Sequence, residues 1–483
     1  MAFVGREAEL RELESRYRSD RNELIAVYGR WRVGKTALVD KAFDHHFFFR
    51  HVGVSPKRMA ESKKRKLDIQ LEAFALSCRL YFGHPIKRPK SWLEAFTILI
   101  EKIRAAEKSL RKVIFIDEMP WMDTPRSSFL ESFGWFVNHV METDDNLLIV
   151  VAGSSTSWMS DNIVSETGGL YDRATYRLHL SPFQLRESEL LLKANGMDGF
   201  SREQTTLAYM SVGGIPFYLN QFDKDLSFRE NIDTMFFGKS PRLDHEFETL
   251  FSSMFDSSKL CESIVRVLSG STRGMGRAEL IQSMGYIDNG QFSNALKALE
   301  AGSFVLRFIP YGLSSKDPYY KLIDPFCLFY LREVEGRKSL NEKVFEDEVS
   351  QGEENEWKGR AFENVVFSHL NQVKTALGIS GIETMQCSWM AEGKAGRSQI
   401  DLVIERKDGI INLCEMKFRA RPFAVDFQYH CLLQHRKEAF LEQSKGKYTV
   451  ALVLITTHGL RKGQYADDFR KVITLDSLFT PCP

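Results

Sequence analysis

A chain of 483 residues is too long for one hydrophobic core and implies three or four domains. Its 43% hydrophobic and 27% charged content is ordinary for a globular protein, and a formal charge of +1 excludes a global field that would draw it to a polyanion. Seven scattered cysteines without a C-x-x-C pair, no apolar signal core in MAFVGREAELRELE and no membrane-length apolar run give the expectation of a cytoplasmic chain with free thiols and no membrane partner.

Phe3-Val4-Gly5-Arg6-Glu7 precedes a helical pattern with Leu10 and Leu13 on one face; a capped surface helix is one reading of it. Leu24-Ile25-Ala26-Val27-Tyr28 reads as a buried strand. Gly29-Arg30-Trp31-Arg32-Val33-Gly34-Lys35-Thr36 follows and matches G-x-x-x-x-G-K-[ST] at every fixed position, and Ala37-Leu38-Val39 starts a helix. Two glycines let several backbone N–H groups converge on one anion, and the helix amino terminus adds partial positive charge. Lys35 is expected to reach β- and γ-phosphates and the Thr36 hydroxyl to hold Mg²⁺, so ATP and Mg²⁺ are the expected ligands.

Residues 41 to 110 read as a helical insert between the first two strands, with His45-His46-Phe47-Phe48-Phe49-Arg50 as the second strand. The basic runs Pro56-Lys57-Arg58 and Lys63-Lys64-Arg65-Lys66 are either a solvated helix face or a phosphate-backbone contact. Lys112 to Asp117 is an apolar strand ending in two carboxylates. Asp117 is expected to hold Mg²⁺ through water, and Glu118 to polarise an attacking water. Asn146 to Ser155 reads as a third buried strand ending in small hydroxyls. Gly169-Leu170-Tyr171-Asp172-Arg173 offers an arginine that either stabilises phosphoryl-transfer charge in a neighbouring subunit or is a structural surface residue. Pro216, after Gly213-Gly214, fixes a helix start.

Residues 256 to 335 read as a winged helix: helices around 258–269 and 277–284, a presumed recognition helix Asp288 to Ala301, and wing strands near 304–310 and 319–322. That helix has a single base, Lys297, so a hinge or lid is set against DNA reading. The charge-rich stretch 336–356 reads as a linker. Beyond it, Phe362, Val366 and Leu370 face inward on a helix carrying Glu363. Asp401 starts a strand, and Glu415 and Lys417 share one face of the next. Paired carboxylates can hold a hard divalent cation and the lysine can orient water. A turn over 405–410 would set Ile404 against Ile411 and Asp401 against Cys414. The acids would then repel one another without a metal. Gln428, Tyr429 and Gln434 on a downstream helix are candidate supporting contacts or solvated surface.

The set FVGRE, GRWRVGKT, VIFIDE, LIVVAGSS, LYDR, LSPF and GGIPFYL resembles the prokaryotic "archaeal ATPase" family, a STAND-like relative of AAA+ proteins, over roughly residues 1 to 335. The resemblance implies that FVGRE and Pro216 lie near an adenine, that Glu118 is the catalytic glutamate, and that Ser154 or Ser155 senses the γ-phosphate. The family's Gly-Arg-Arg after Leu-Tyr is replaced by Asp172-Arg173-Ala174, which weakens an arginine-finger role for Arg173. Glu363, Asp401 and Glu415-x-Lys417 resemble the PD-(D/E)xK nuclease superfamily, with Ile400 in place of its proline. That likeness makes Glu363 the helix acid, Asp401 and Glu415 the metal acids, and Lys417 the catalytic lysine.

The expected fold class is therefore α/β: a P-loop NTPase parallel sheet (1–180), a helical lid (181–255), a winged helix (256–335), a linker (336–356) and a restriction-endonuclease-like α/β domain (357–483). The expected function is ATP binding and hydrolysis coupled to metal-dependent cleavage of nucleic acid, DNA foremost, in defence. The alternative is a nucleotide switch, regulator or scaffold whose terminal domain only binds. A second copy of the chain is a further candidate partner.

Overall fold

Unbroken apolar runs need cover on both faces, and in the amino-terminal part they find it in a parallel sheet. Strands β1 (Glu23–Tyr28), β2 (Phe49–Val52), β3 (Lys112–Asp117), β4 (Leu147–Gly153) and β5 (Tyr176–His179) pair in parallel in the order β2-β3-β4-β1-β5. The register sets Tyr28 beside Gly153 and Ile116 beside Val151, so β1, β4 and β3 end side by side at one edge. The computed structural model describes residues 3–107, 110–144, 146–165, 170–238, 240–255, 257–314, 316–335, 356–393 and 396–481. It forms two units: Phe3–Pro182 with Glu248–Cys261, and Phe183–Phe247 with Glu262–Pro483.

In the first unit, helices Lys66–Phe82, Trp92–Ala105 and Phe129–Thr143 contribute an aromatic core on one side of the sheet. Trp92 meets Phe129 edge-on at 4.9 Å, and Phe96 stacks on Phe136 at 5.1 Å. The second strand begins at Phe49, not at His45. Asp44 and His45 take positive φ (47° and 59°), so the chain turns there before it extends. The helices from Pro56 to Ala105 accordingly lie between β2 and β3, not between the first two strands. The basic run is solvated and paired on its own surface: Lys64 reaches Glu72 at 2.7 Å and Arg65 reaches Asp68 at 2.8 Å.

The second unit begins with helices Leu185–Ala194, Arg202–Val212 and Phe228–Phe236. A small sheet follows, of β6 (Met275–Gly276), β7 (Val305–Phe308) and β8 (Tyr319–Leu322) in the order β6-β8-β7, beside helices Arg277–Met284 and Gly290–Ala301. The terminal sheet orders β9 (Thr384–Gly393), β10 (Gly396–Arg406), β11 (Ile410–Lys417), β12 (Thr449–Thr456) and β13 (Lys471–Thr474) as β13-β12-β11-β10-β9. Its β9-β10-β11 part is antiparallel, while β11, β12 and β13 run parallel. Parallel β11 and β12 require a crossover, which the helix Phe427–Gln443 supplies. The stretch read as a linker falls outside the described residues except for Glu356. The described cysteines are free thiols, and among the described residues no helix is long and apolar enough to cross a membrane.

Helix Glu356–Ser368 organises this unit. Arg360, buried on its inner face, donates to the carbonyls of Ser269 and Ser271 at 2.7 Å each, and Asn364 donates to the Leu322 carbonyl at 3.1 Å. Just past the helix, His369 is fully buried. Its Nδ1 lies 2.7 Å from the Val365 carbonyl, and its Nε2 accepts the Leu185 N–H at 2.9 Å. These two contacts select the neutral ring with the proton on Nδ1. Burial lowers its pKa from 6.5 to about 4. The unfolded chain thus takes up a proton here that the folded one refuses. Stability is full above pH 6.5 and falls as the pH drops toward 4, by about 3 kcal/mol for this ring. Urea melts over a pH series should show that slope, and His369→Gln should flatten it. An unchanged slope in the variant would place the acid sensitivity elsewhere.

Candidate functional site

The turn after β1 is held open by backbone that side chains rarely allow. Gly29 has φ 149° and Gly34 φ 94°, and a Cβ on Gly29 would stand 2.3 Å from the Leu180 carbonyl oxygen. Arg32 between them also takes positive φ, at 66°. The helix Lys35–Ala42 starts directly from Gly34, so its amino terminus faces the loop. Arg30 and Val33 are buried and Trp31 is half-buried, its ring packed on Trp121 at 5.3 Å.

Lys35 is 4% exposed. Its Nζ donates to the carbonyls of Gly29 and Arg30 at 3.0 Å each and to Ser154 Oγ at 2.9 Å. Ser154 Oγ in turn donates to Glu118 Oε1 at 2.5 Å, and its backbone N–H donates to Glu118 Oε2 at 3.1 Å. One hydroxyl therefore joins the ammonium to the carboxylate. Burial lowers the Lys35 pKa against the pull of Glu118 and Asp117, and raises that of Glu118 against the pull of Lys35. Beside this chain, the Thr36 hydroxyl donates to Asp117 Oδ2 at 2.7 Å, while Asp117 Oδ1 accepts the Glu118 N–H at 2.9 Å. Lys35, Thr36, Asp117, Glu118 and Ser154 are thus brought together at the ends of β1, β3 and β4.

Sequence reasoning missed how Glu118 is aimed. It leaves β3 in left-handed backbone, φ 49°, and the chain ahead of it is pressed against Gly53, where a Cβ would lie 2.7 Å from the Glu118 carbonyl oxygen. A lone glycine after a four-residue strand was the one available signal. Gly153 is similarly crowded by Met159 and Pro120. Arg6 is buried, donating to the Ser181 carbonyl at 2.5 Å and to Glu9 at 3.2 Å, so it ties the amino-terminal segment to the chain after β5. The helix behind it has no side-chain cap. Arg173 is exposed, with Glu142 at 3.8 Å. Gly169 lies outside the described residues. Pro216 belongs to the second unit, where it opens the short helix Pro216–Leu219.

The second candidate centre lies in the second unit. Pairing of β10 with β9 skips from Ile400↔Trp389 to Val403↔Cys387, so Asp401 and Leu402 together oppose Ser388 in a bulge. The hairpin register differs by one residue from that expected. Leu402 faces Cys414 and Glu405 faces Ile411, because Glu405 stays in the ladder and the loop shrinks to Lys407–Gly409, with Gly409 at φ 83°. Continued in that register, the ladder leads to Asp401 and Glu415.

The repulsion expected among the acids is partly offset by the neighbours of each. Glu363, 17% exposed, pairs with Lys321 of β8 at 2.8 Å. Glu415 pairs with Lys417 at 2.9 Å and with Arg436 at 2.7 Å. Asp401 accepts from Gln399 Nε2 at 2.6 Å. Burial and then the charge of Asp401 raise Glu363 to about 7, against Lys321. Although burial opposes it, Lys417 and Arg436 hold Glu415 below its usual range. The buried Tyr429 phenol is raised by burial and by Glu415, and its ring carries Lys417 Nζ at 5.4 Å. Gln428 is exposed, and Gln434 donates to Asp468 at 3.0 Å. Among the described residues no three His, Cys, Asp or Glu side chains are disposed to hold a metal ion.

Comparison with known proteins adds the following. Residues 3–222 match a family model described as an ATPase domain predominantly from Archaea. The chain is 26% identical over 370 residues to "Uncharacterized protein MJECL04" of Methanocaldococcus jannaschii, spanning 75% of this chain and 76% of that one. Among solved structures it is similar to the Walker-type ATPase PABY2304 of Pyrococcus abyssi, at 16% identity over 68% of this chain and 96% of that one, TM-score 0.47. It is also similar to the Aeropyrum pernix ORC2 protein in its ADPNP and ADP complexes, at 15% identity over 68% and 92%, TM-score 0.43. Residues 3–222, which match the archaeal ATPase model, contain the strand-loop-helix of Gly29–Thr36 and the carboxylates at the end of β3.

Proposed function

We propose that this domain binds ATP with Mg²⁺ and hydrolyses it. The observation that carries the reading is the Lys35–Ser154–Glu118 chain beside Thr36 and Asp117. The carbonyls that hold Lys35 are neutral acceptors, and a phosphate oxygen outcompetes them on charge. Thr36 and Asp117 present the hard oxygens that suit Mg²⁺, which would neutralise phosphate charge when bound. Burial raises the Glu118 carboxylate above its ordinary range against the pull of Lys35, which makes it a stronger base toward water. Ser154 contacts both Lys35 and Glu118, so a change in what Lys35 binds reaches the base through one hydroxyl. On this reading Ser154, not Ser155, is the sensor. Arg173 is given no role in the proposal.

Lys35→Ala should weaken ATP binding by about two orders of magnitude, because charge-assisted contacts to phosphate are lost. Calorimetry showing parent affinity would sink the reading. Glu118→Gln should still bind ATP while turnover falls on the order of 10²-fold or more, since the amide keeps the shape and loses the base. Parent turnover in that variant would remove Glu118 from the chemistry.

Gly53→Ala tests the aim of Glu118. The new methyl displaces the Glu118 backbone, so turnover should drop about 10- to 100-fold with ATP affinity nearly unchanged. Equal losses in affinity and turnover would point to general disruption instead.

A second reading concerns the terminal domain, as a metal-dependent nuclease with Glu363, Asp401, Glu415 and Lys417. It is favoured by the bulge at Asp401 and by the register that brings Asp401 toward Glu415. As placed, these residues do not form a cation site, since their counter-charges come from Lys321, Lys417 and Arg436. On the winged helix, β8 is engaged with helix Glu356–Ser368, which favours a hinge or cover over DNA reading. Plasmid, linear and single-stranded DNA and RNA, incubated with Mn²⁺ and ATP, test the reading. Cleavage that vanishes in Asp401→Asn while ATP turnover persists supports it. No cleavage of any substrate favours the nucleotide-switch or scaffold reading, with a terminal domain that only binds.

A further inference from the structure

Lys321 is the residue that the nuclease-like pattern does not contain. It stands on β8, 42 positions before Glu363, and its side chain is 7% exposed. A lysine this buried is retained only with a partner, and its partner is the helix acid of the centre. The neighbouring residue makes the docking specific, because the Leu322 carbonyl accepts from Asn364, one position after Glu363. The wing also shares a cavity with the acid centre. About 250 Å³ of space is bounded by Arg307 and Lys321 on one side and by Ser388, Gln399 and Asp401 on the other. The Ser388 hydroxyl is buried there without a hydrogen-bond partner. Room and an unused polar group thus lie between the wing and the bulge that carries Asp401.

We propose that Lys321 is a built-in cation that keeps the acid centre closed, so that a divalent cation enters only when β7 and β8 withdraw and take the ammonium away from Glu363. This rests on the nuclease-like reading of the terminal domain. The physical reason is competition for one carboxylate. While Lys321 Nζ sits 2.8 Å from Glu363, a second cation there meets like-charge repulsion and an acid already neutralised. The winged helix then acts as a cover over the centre.

Mn²⁺ binding to the nucleotide-free full chain, read by calorimetry and by the shift in melting temperature, tests the lock. Asp401→Asn identifies which part of the signal belongs to this centre. In the parent, Asp401-dependent binding should be weak but saturable. In Lys321→Met, which keeps the apolar stem, it should appear at least about tenfold tighter, because the closed state no longer taxes affinity. Lys321→Arg should behave as the parent.

Equally tight, Asp401-dependent binding in parent and Lys321→Met would overturn the lock and leave the metal-centre reading standing. No Asp401-dependent binding in a folded Lys321→Met would overturn both. Should Lys321→Met not fold, hydrogen exchange in the parent decides. Saturating Mn²⁺ must speed exchange at residues 319–322, and unchanged protection there overturns the lock.

Discussion

A buried ammonium and a buried carboxylate are each costly to desolvate, and the cluster at the ends of β1, β3 and β4 depends on one hydroxyl that joins them. Ser154 accepts from Lys35 and donates to Glu118, so neither charge is left without a partner inside the fold. That arrangement fixes the geometry of the loop, the end of β3 and the end of β4 together. It needs β4 between β1 and β3, which the strand order provides. It also needs Glu118 to turn out of its strand in left-handed backbone, which the bare α-carbon of Gly53 permits. Aligned strand ends, a strained glutamate and a crowded glycine are consequences of seating two opposite charges on one serine.

The second unit repeats the theme with a different result. Helix Glu356–Ser368 presents Arg360, Glu363 and Asn364 on one face, spaced three and four apart, and all three engage the region from Ser269 to Leu322. Three of these contacts go to backbone carbonyls and one to a buried ammonium. The acid of the nuclease-like pattern therefore serves as a docking residue in this arrangement. Glu415, with a lysine and an arginine against it, is equally settled. These ion pairs relieve part of the repulsion that a cluster of acids would otherwise carry.

Local chemistry was legible in the sequence by itself. Glycines that permit positive φ, a lysine and threonine opening a helix, and apolar runs ending in carboxylates determine their own backbone within a few residues. The loop, the ends of β3 and β4, the strands β7 and β8 and the helix carrying Glu363 could therefore be read in order. What only the tertiary structure decided involves partners distant in the chain. Ser154 meets Lys35 across 119 positions, and Lys321 meets Glu363 across 42, and no periodicity encodes such pairings. The hairpin register slipped by one because a three-residue loop ending in Gly409 keeps Glu405 in the ladder, and the bulge at Asp401 is set by its pairing with β9. Gly53 reads as an ordinary glycine until the Glu118 carbonyl is placed against it. The sequence determined which groups carry charge and where the chain turns. Packing alone decided which charge each group meets, because electrostatic partnership depends on distance in space and not on separation along the chain.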